Sequence, residues 1–150
     1  MEISQFTYMQ QVGGIECEII PGEITYGLER IAMHVQEVDS IFDINWNGKT
    51  GEEKITYGDV FKQSEIENSA FILEHSNIAA LFKNFTESKE LSQILAEKNL
   101  PIPAYEQALK ASHILNLLDA RGAVSVTERT SYIGQIRGLV KAACELVAKD

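Results

Sequence analysis

Among the four arginines of this sequence, Arg30 stands where a strand pattern gives way to a helix pattern. In the run Gly22-Glu23-Ile24-Thr25-Tyr26-Gly27-Leu28-Glu29-Arg30-Ile31-Ala32-Met33, the residues Glu23, Thr25 and Gly27 alternate with Ile24, Tyr26 and Leu28. One face of such a strand is polar or small and the other apolar. Gly27 removes a side chain three residues before Arg30, so another group can lie close to the backbone. The helix macrodipole favours anions, not cations, at a helix N-terminus. An arginine there adds nothing to helix stability, and its planar fork suits a phosphate. By spacing alone a scaffold role is the commoner reading, since most strand–helix junctions with one glycine and one arginine are only scaffold.

The elements that must position this junction read as follows. Residues 1–28 have sheet character: Ile3 to Gln11, Ile15 to Ile20 and Glu23 to Leu28 are short strands separated by Gly13-Gly14 and Pro21-Gly22, and the short links predict an antiparallel ribbon. Arg30 to Gln36 opens the helical part. Residues 39–56 are irregular around Trp46. Apolar periodicity predicts helices over Tyr57 to His75, Asn77 to Lys98 and Ala104 to Leu118, with Pro101 and Pro103 as breakers. Ser125-Val126-Thr127-Glu128 is a capping box opening a last helix to Ala148. The fold class is α+β: a fragment of antiparallel sheet followed by a mostly helical domain.

With 150 residues and 45% hydrophobic content, the chain suffices for one domain, or a small domain plus part of another. A net charge of −9 argues against a chain that carries the main nucleic-acid surface. Arg121, Arg129 and Arg137 cluster in the last third, as a local patch or as solvated helix faces. Cys17 and Cys144 stand in unrelated contexts, and neither has a second ligand at zinc spacing, which reads as reduced structural thiols of a cytoplasmic protein. His34, His75 and His113 are scattered. No apolar run reaches membrane-spanning length.

The strand–glycine–arginine–helix segment resembles motif 3 of class II aminoacyl-tRNA synthetases. The whole chain is similar to the alpha subunit of bacterial glycyl-tRNA synthetase, the heterotetrameric type. Three further stretches carry the likeness: Phe6-Thr7-Tyr8-Met9-Gln10-Gln11-Val12-Gly13-Gly14, Thr56-Tyr57-Gly58-Asp59-Val60-Phe61, and Asn116-Leu117-Leu118-Asp119-Ala120-Arg121 with Ser125-Val126-Thr127-Glu128-Arg129. These anchors run in the family's order along nearly the whole chain, which then corresponds to the subunit's C-terminal half. The resemblance implies a division into residues 1–45, the C-terminal part of a class II catalytic domain with motif 3, and residues 46–150, a helical domain. Motif 1, which forms the dimer, and motif 2, which binds ATP, have no counterpart here, so the resemblance implies a chain inactive alone, with exposed sheet edges.

The implied activity is ATP-dependent ligation of glycine to its tRNA through glycyl-adenylate, with ATP and Mg2+ as cofactors. Arg30 is the implied catalytic and ATP-binding residue, through the γ-phosphate. Gly27 lets the adenine or ribose approach, and Glu2 takes the place of the carboxylate that holds magnesium. Glu2 reads equally well as an exposed glutamate on a frayed end. Glu23 and Thr25 are larger than the small residues common at these places, so they fill the amino-acid pocket and leave room only for glycine. Glu23 also suits the substrate ammonium. Gln5 and Thr7 add hydrogen bonds, or merely satisfy a sheet edge. The implied partners are glycine, tRNA met mainly through the beta subunit, the beta subunit itself, and a second alpha subunit in the full-length protein, with no membrane. Two rival readings are a non-catalytic helical module that binds a partner subunit, and a generic nucleotide-binding fold, against which the lack of a glycine-rich loop with lysine counts.

Overall fold

The computed structural model describes residues Met1–Ala148. Its order is β1 (Ser4–Tyr8), β2 (Gln11–Val12), β3 (Ile15–Glu16), β4 (Gly22–Tyr26), α1 (Leu28–Val35), α2 (Tyr57–Ala70), a π-helical turn (Phe71–His75), α3 (Ile78–Glu97), α4 (Pro101–Ala120) and α5 (Val126–Val147). This is the expected α+β arrangement, a small antiparallel sheet followed by a mostly helical region. By compactness the chain divides into two units. One contains Met1–Met9 with Ile20–Ala70, and the other contains Gln10–Ile19 with the chain from Phe71 onward.

In the first unit β1 pairs antiparallel with β4, in register Ser4–Tyr26 through Tyr8–Gly22. The three successive strands read from the sequence are therefore corrected. Ile3 to Gln11 and Ile15 to Ile20 do not pair along their length, because the tight Gly13-Gly14 turn joins only Gln11–Val12 to Ile15–Glu16. The outer segment Ser4–Tyr8 skips that hairpin and pairs with Gly22–Tyr26. Every residue of β1 and β4 is exposed, including Phe6 at 66% and Ile24 at 59%, so the ribbon has no covering layer. A lone two-stranded ribbon is marginal without such a layer.

Helix α1 starts at Leu28, two residues before the start read from the sequence, and makes Arg30 its third residue. The irregular stretch after it is held by polar side chains. The Asn45 amide donates to Gln36 Oε1 at 2.7 Å, and Asn47 Nδ2 donates to the Glu53 carbonyl at 2.7 Å. Trp46 lies edge-on to Tyr57 and Phe61, with ring centroids 5.7 and 5.3 Å away. Ahead of α2, Asp59 Oδ2 accepts from the Thr56 amide at 2.7 Å and the Thr56 hydroxyl at 2.8 Å, while the Asp59 amide donates back to that hydroxyl. This reciprocal pair satisfies two donors at the helix start. Gly58, the second residue of α2, has no room for a side chain, since a Cβ there would lie 2.9 Å from the Phe42 carbonyl oxygen.

The second unit holds nearly all of the core. In α4, Ala104, Ala108, Ala111, Leu115 and Leu118 recur every three or four residues, and all are buried. The small alanines let the neighbouring helix come close, and Ser92 of α3, itself buried, donates to the Ala104 carbonyl at 2.8 Å. Phe85 of α3 packs on Ala111 and Leu115 and meets Tyr132 of α5 edge-on at 4.7 Å. Helix α4 begins at Pro101, not Ala104. Proline lacks only an N–H that a first turn does not use, so Pro101 starts this helix as well as ending the previous one. The predicted capping box at Ser125 is present with both of its hydrogen bonds.

Candidate functional site

The β1–β4 register decides which side chains share a face. Directly opposed residues in an antiparallel pair point the same way. Gln5 opposes Thr25 and Thr7 opposes Glu23, so all four polar residues singled out in the sequence lie together on one face. The opposite face carries Phe6 against Ile24 and Ser4 against Tyr26. On the polar face the Thr25 hydroxyl donates to Glu23 Oε1 at 2.6 Å, which fixes one carboxylate oxygen and leaves the other open to a ligand.

The strand pair leads directly into the arginine. The Gly27 amide donates to the Ile3 carbonyl at 2.9 Å, which extends the ladder one step past β4. Gly27 is then the N-cap of α1, with no side chain capping the helix start. A Cβ on Gly27 would lie 3.4 Å from Arg30 Cδ and 3.6 Å from Arg30 Cβ and Cγ, ordinary van der Waals contact, so the arginine stem does not itself require a glycine there. The guanidinium reaches back over the first strand, and Arg30 Nη1 donates to the Glu2 main-chain carbonyl at 3.0 Å. Glu2 is thereby brought beside Arg30 through its backbone, with its side chain exposed. The open helix N-terminus and the exposed Arg30 follow, along the chain, the strip of exposed polar side chains; the guanidinium suits an anion and the Glu23 carboxylate an ammonium.

The remaining sequence candidates have structural partners. Arg129 Nε donates to Asp119 Oδ2 at 2.9 Å, and Arg121 Nη1 donates to the buried Ser76 at its carbonyl (2.6 Å) and hydroxyl (2.9 Å). The Asp59 carboxyl is held below its usual range by the Thr56 amide and then the Thr56 hydroxyl, and Glu128 is lowered by the Ser125 hydroxyl and amide. Both are helix-start devices.

One grouping escaped the sequence. Cys17 and Cys144, 127 positions apart (144 − 17), are both free thiols on the wall of one apolar cleft of about 470 Å³, with Val12, Ile15, Tyr105 and Ala143. The hairpin turn is what brings them there: a Cβ on Gly13 would sit 2.9 Å from both Cβ and Sγ of Cys144. No local signal in the sequence announces that contact. Among the described residues no group of three or more metal-ligating side chains gathers, and no helix is long and apolar enough to cross a membrane.

The protein belongs among the aminoacyl-tRNA synthetases, ligases of protein synthesis. The family model described as glycyl-tRNA synthetase alpha subunit matches residues 1–150, and the chain belongs to that family.

Proposed function

We propose that this chain contributes the glycine-facing and pyrophosphate-facing part of a class II site that ligates glycine to its tRNA at the cost of ATP. The observation that carries the reading is the β1–β4 register. It gathers Gln5, Thr7, Glu23 and Thr25 on one face and delivers Arg30 at the end of the same strand. In the first step the glycine carboxylate attacks the α-phosphorus of ATP and pyrophosphate leaves. In the second a hydroxyl of the terminal ribose of tRNA attacks the glycyl carbonyl of the adenylate, forming the ester and releasing AMP. No enzyme-bound covalent intermediate is required, so positioning and charge neutralisation carry the catalysis.

Each residue has a role in this reading. Arg30 holds the γ-phosphate and orients pyrophosphate as it leaves. Gly27 leaves space beside the strand for the nucleoside. The free oxygen of Glu23 takes the glycine ammonium, while Glu23 and Thr25 occupy the space that a larger amino acid's side chain would need. Gln5 and Thr7 supply further hydrogen bonds. Glu2 is a single carboxylate next to Arg30, which fits Mg2+, an ion usually held by one or two carboxylates together with substrate phosphates. The magnesium would supply Lewis-acid neutralisation of the phosphates. In this reading the full-length protein pairs as an alpha dimer in the cytoplasm, and the beta subunit provides most of the tRNA surface.

A second reading, a non-catalytic module that binds a partner subunit, draws on the distribution of the core. Apart from Ile44, every buried hydrophobic residue lies in the helical unit, whereas the β1–β4 ribbon has both faces exposed. The test is glycine-dependent exchange of labelled pyrophosphate into ATP, measured on the protein together with the beta subunit. The expected result is exchange in the wild type, abolished by Arg30→Ala and not restored by Arg30→Lys, which keeps charge but loses the bidentate fork. Exchange that survives in Arg30→Ala would remove Arg30 from the site. A wild type without exchange would favour the module.

A further inference from the structure

Three of the chain's four arginines are already committed to partners: Arg30 to the Glu2 carbonyl, Arg121 to Ser76, and Arg129 to Asp119. Arg137 is the exception, with no hydrogen bond or ion pair among the described residues. It stands on α5 beside an open groove of about 500 Å³ lined by Gly13, Gly14, Ile136, Arg137, Gly138 and Lys141. Arg137 and Lys141 are four residues apart and so lie on one helix face. Across the groove is the Gly13-Gly14 turn, with φ values of +60° and +80°. Its two amides lie outside the short ladder that pairs Val12 with Ile15 and Gln11 with Glu16, and neither donates a hydrogen bond among the described residues.

The helix surface between them is bare. A Cβ built on Gly14, Gly134 or Gly138 meets nothing within 4 Å. A ligand can therefore approach the backbone of α5 and of the turn at once. The residues lining this space bring a guanidinium and an ammonium, and the turn brings two peptide N–H groups without an acceptor among the described residues. Lys141 already has a carboxylate beside it, Glu145, whose Oε1 lies 3.7 Å from Lys141 Nζ in an exposed pair. Such exposed pairs contribute little and exchange readily for another anion. An arginine fork beside a turn's amides suits the oxygens of a phosphate.

We propose that the Gly13-Gly14 turn, Arg137 and Lys141 form a binding site for a backbone phosphate of tRNA. This rests on the reading of the protein as a tRNA ligase, whose polyanionic substrate must be held while its terminal ribose reacts. The chain's net charge of −9 limits the contact to this local patch, since no broad basic face accompanies it. The site shares no residue with the group around Arg30, so it serves the transfer step and leaves glycine activation untouched.

The experiment compares wild type, Arg137→Gln, Lys141→Gln and the double variant, each in the full chain assembled with its beta subunit. Binding of fluorescent tRNA is measured by anisotropy between 0.05 and 0.3 M salt, roughly the range over which counterion release is read. Glycine-dependent pyrophosphate exchange, which needs no tRNA, is measured on the same samples. The double variant should bind tRNA about tenfold more weakly near 0.1 M salt, with the salt slope reduced by about one. Its exchange rate should equal that of the wild type. Unchanged tRNA affinity and slope in the double variant overturn the proposal. So does loss of beta-subunit association in gel filtration, which would assign the cations to an acidic partner surface. Absence of exchange in every sample, with tRNA binding still sensitive to Arg137, would instead count against the synthetase reading and leave the phosphate site standing.

Discussion

Replacing Gly13 by alanine tests the contact that docks the hairpin on α5. Two costs add. A non-glycine residue at φ +60° costs about 1 kcal/mol. The new Cβ would also lie 2.9 Å from Cys144 Cβ and Sγ and 3.5 Å from Lys141 Cα. Separation to ordinary contact requires the turn or the helix to move by several tenths of an ångström, and overpacking of that kind costs about 1–3 kcal/mol. Alanine's lower unfolded-state entropy returns about 0.4–1 kcal/mol. The net expectation is about 2 kcal/mol of destabilisation. Gly14→Ala is the matched control: its φ is +80°, but the added Cβ meets nothing within 4 Å, so only the backbone cost applies. Urea unfolding followed by circular dichroism at 222 nm should separate the two variants by about 1.5–2 kcal/mol, or about 5 °C in Tm for a chain of this size. Alkylation of Cys144 by iodoacetamide should accelerate in Gly13→Ala and not in Gly14→Ala, which detects release of the hairpin short of helix unfolding. Equal stabilities within about 0.5 kcal/mol together with equal alkylation rates would refute the reasoning, because the Cys144 contact would then have no energetic consequence.

Three further outcomes are expected. Arg121→Met leaves the buried Ser76 carbonyl and hydroxyl without their charged donor, and should lower stability by about 2 kcal/mol in urea unfolding. Gly58→Ala, which should favour a helix by about 1 kcal/mol on propensity alone, should instead destabilise the first unit, because its Cβ would meet the Phe42 carbonyl oxygen at 2.9 Å; fluorescence of Trp46, the chain's single tryptophan, reports on it. The depressed carboxyls of Asp59 and Glu128 contribute stability that is present above the unfolded-state carboxylate range and lost as pH falls through their folded values. Helix content should therefore decline on acidification below about pH 4, and Asp59→Asn with Glu128→Gln should flatten that decline.

The candidate strip was legible because its signals are local. Alternation through Glu23, Thr25 and Gly27 sets one face of a strand by covalent geometry, and Gly27 followed by Arg30 sets the helix start. The register then placed Gln5 and Thr7 on that face, as two-residue periodicity requires once the strands pair. The capping box at Ser125 was equally readable, since it depends on a few adjacent residues, whereas the prolines marked a helix boundary without showing that both lie inside the first turn of α4.

The helical stretch read over Tyr57 to His75 divides into α2 and the π-helical turn, and its apolar residues Val60, Ile66, Phe71 and Leu73 are all exposed by 45% or more. The burial of Ala104, Ala108 and Ala111 carried a weaker signal, their regular spacing, which small residues do not advertise in a hydrophobicity reading.

By itself the sequence determined the order of strand and helix elements, the arginine at their junction and the polar face that leads to it, because each follows from neighbours along the chain. Only the tertiary structure decided that β1 skips a hairpin to pair with β4, that the hairpin itself packs on α5 through Gly13 and Cys144, and that Arg137 alone of the arginines is left without a partner among the described residues. Those outcomes depend on which surfaces meet between segments that are not neighbours along the chain, and such contacts are chosen by packing and hydrogen-bond satisfaction, not by any local preference of the chain.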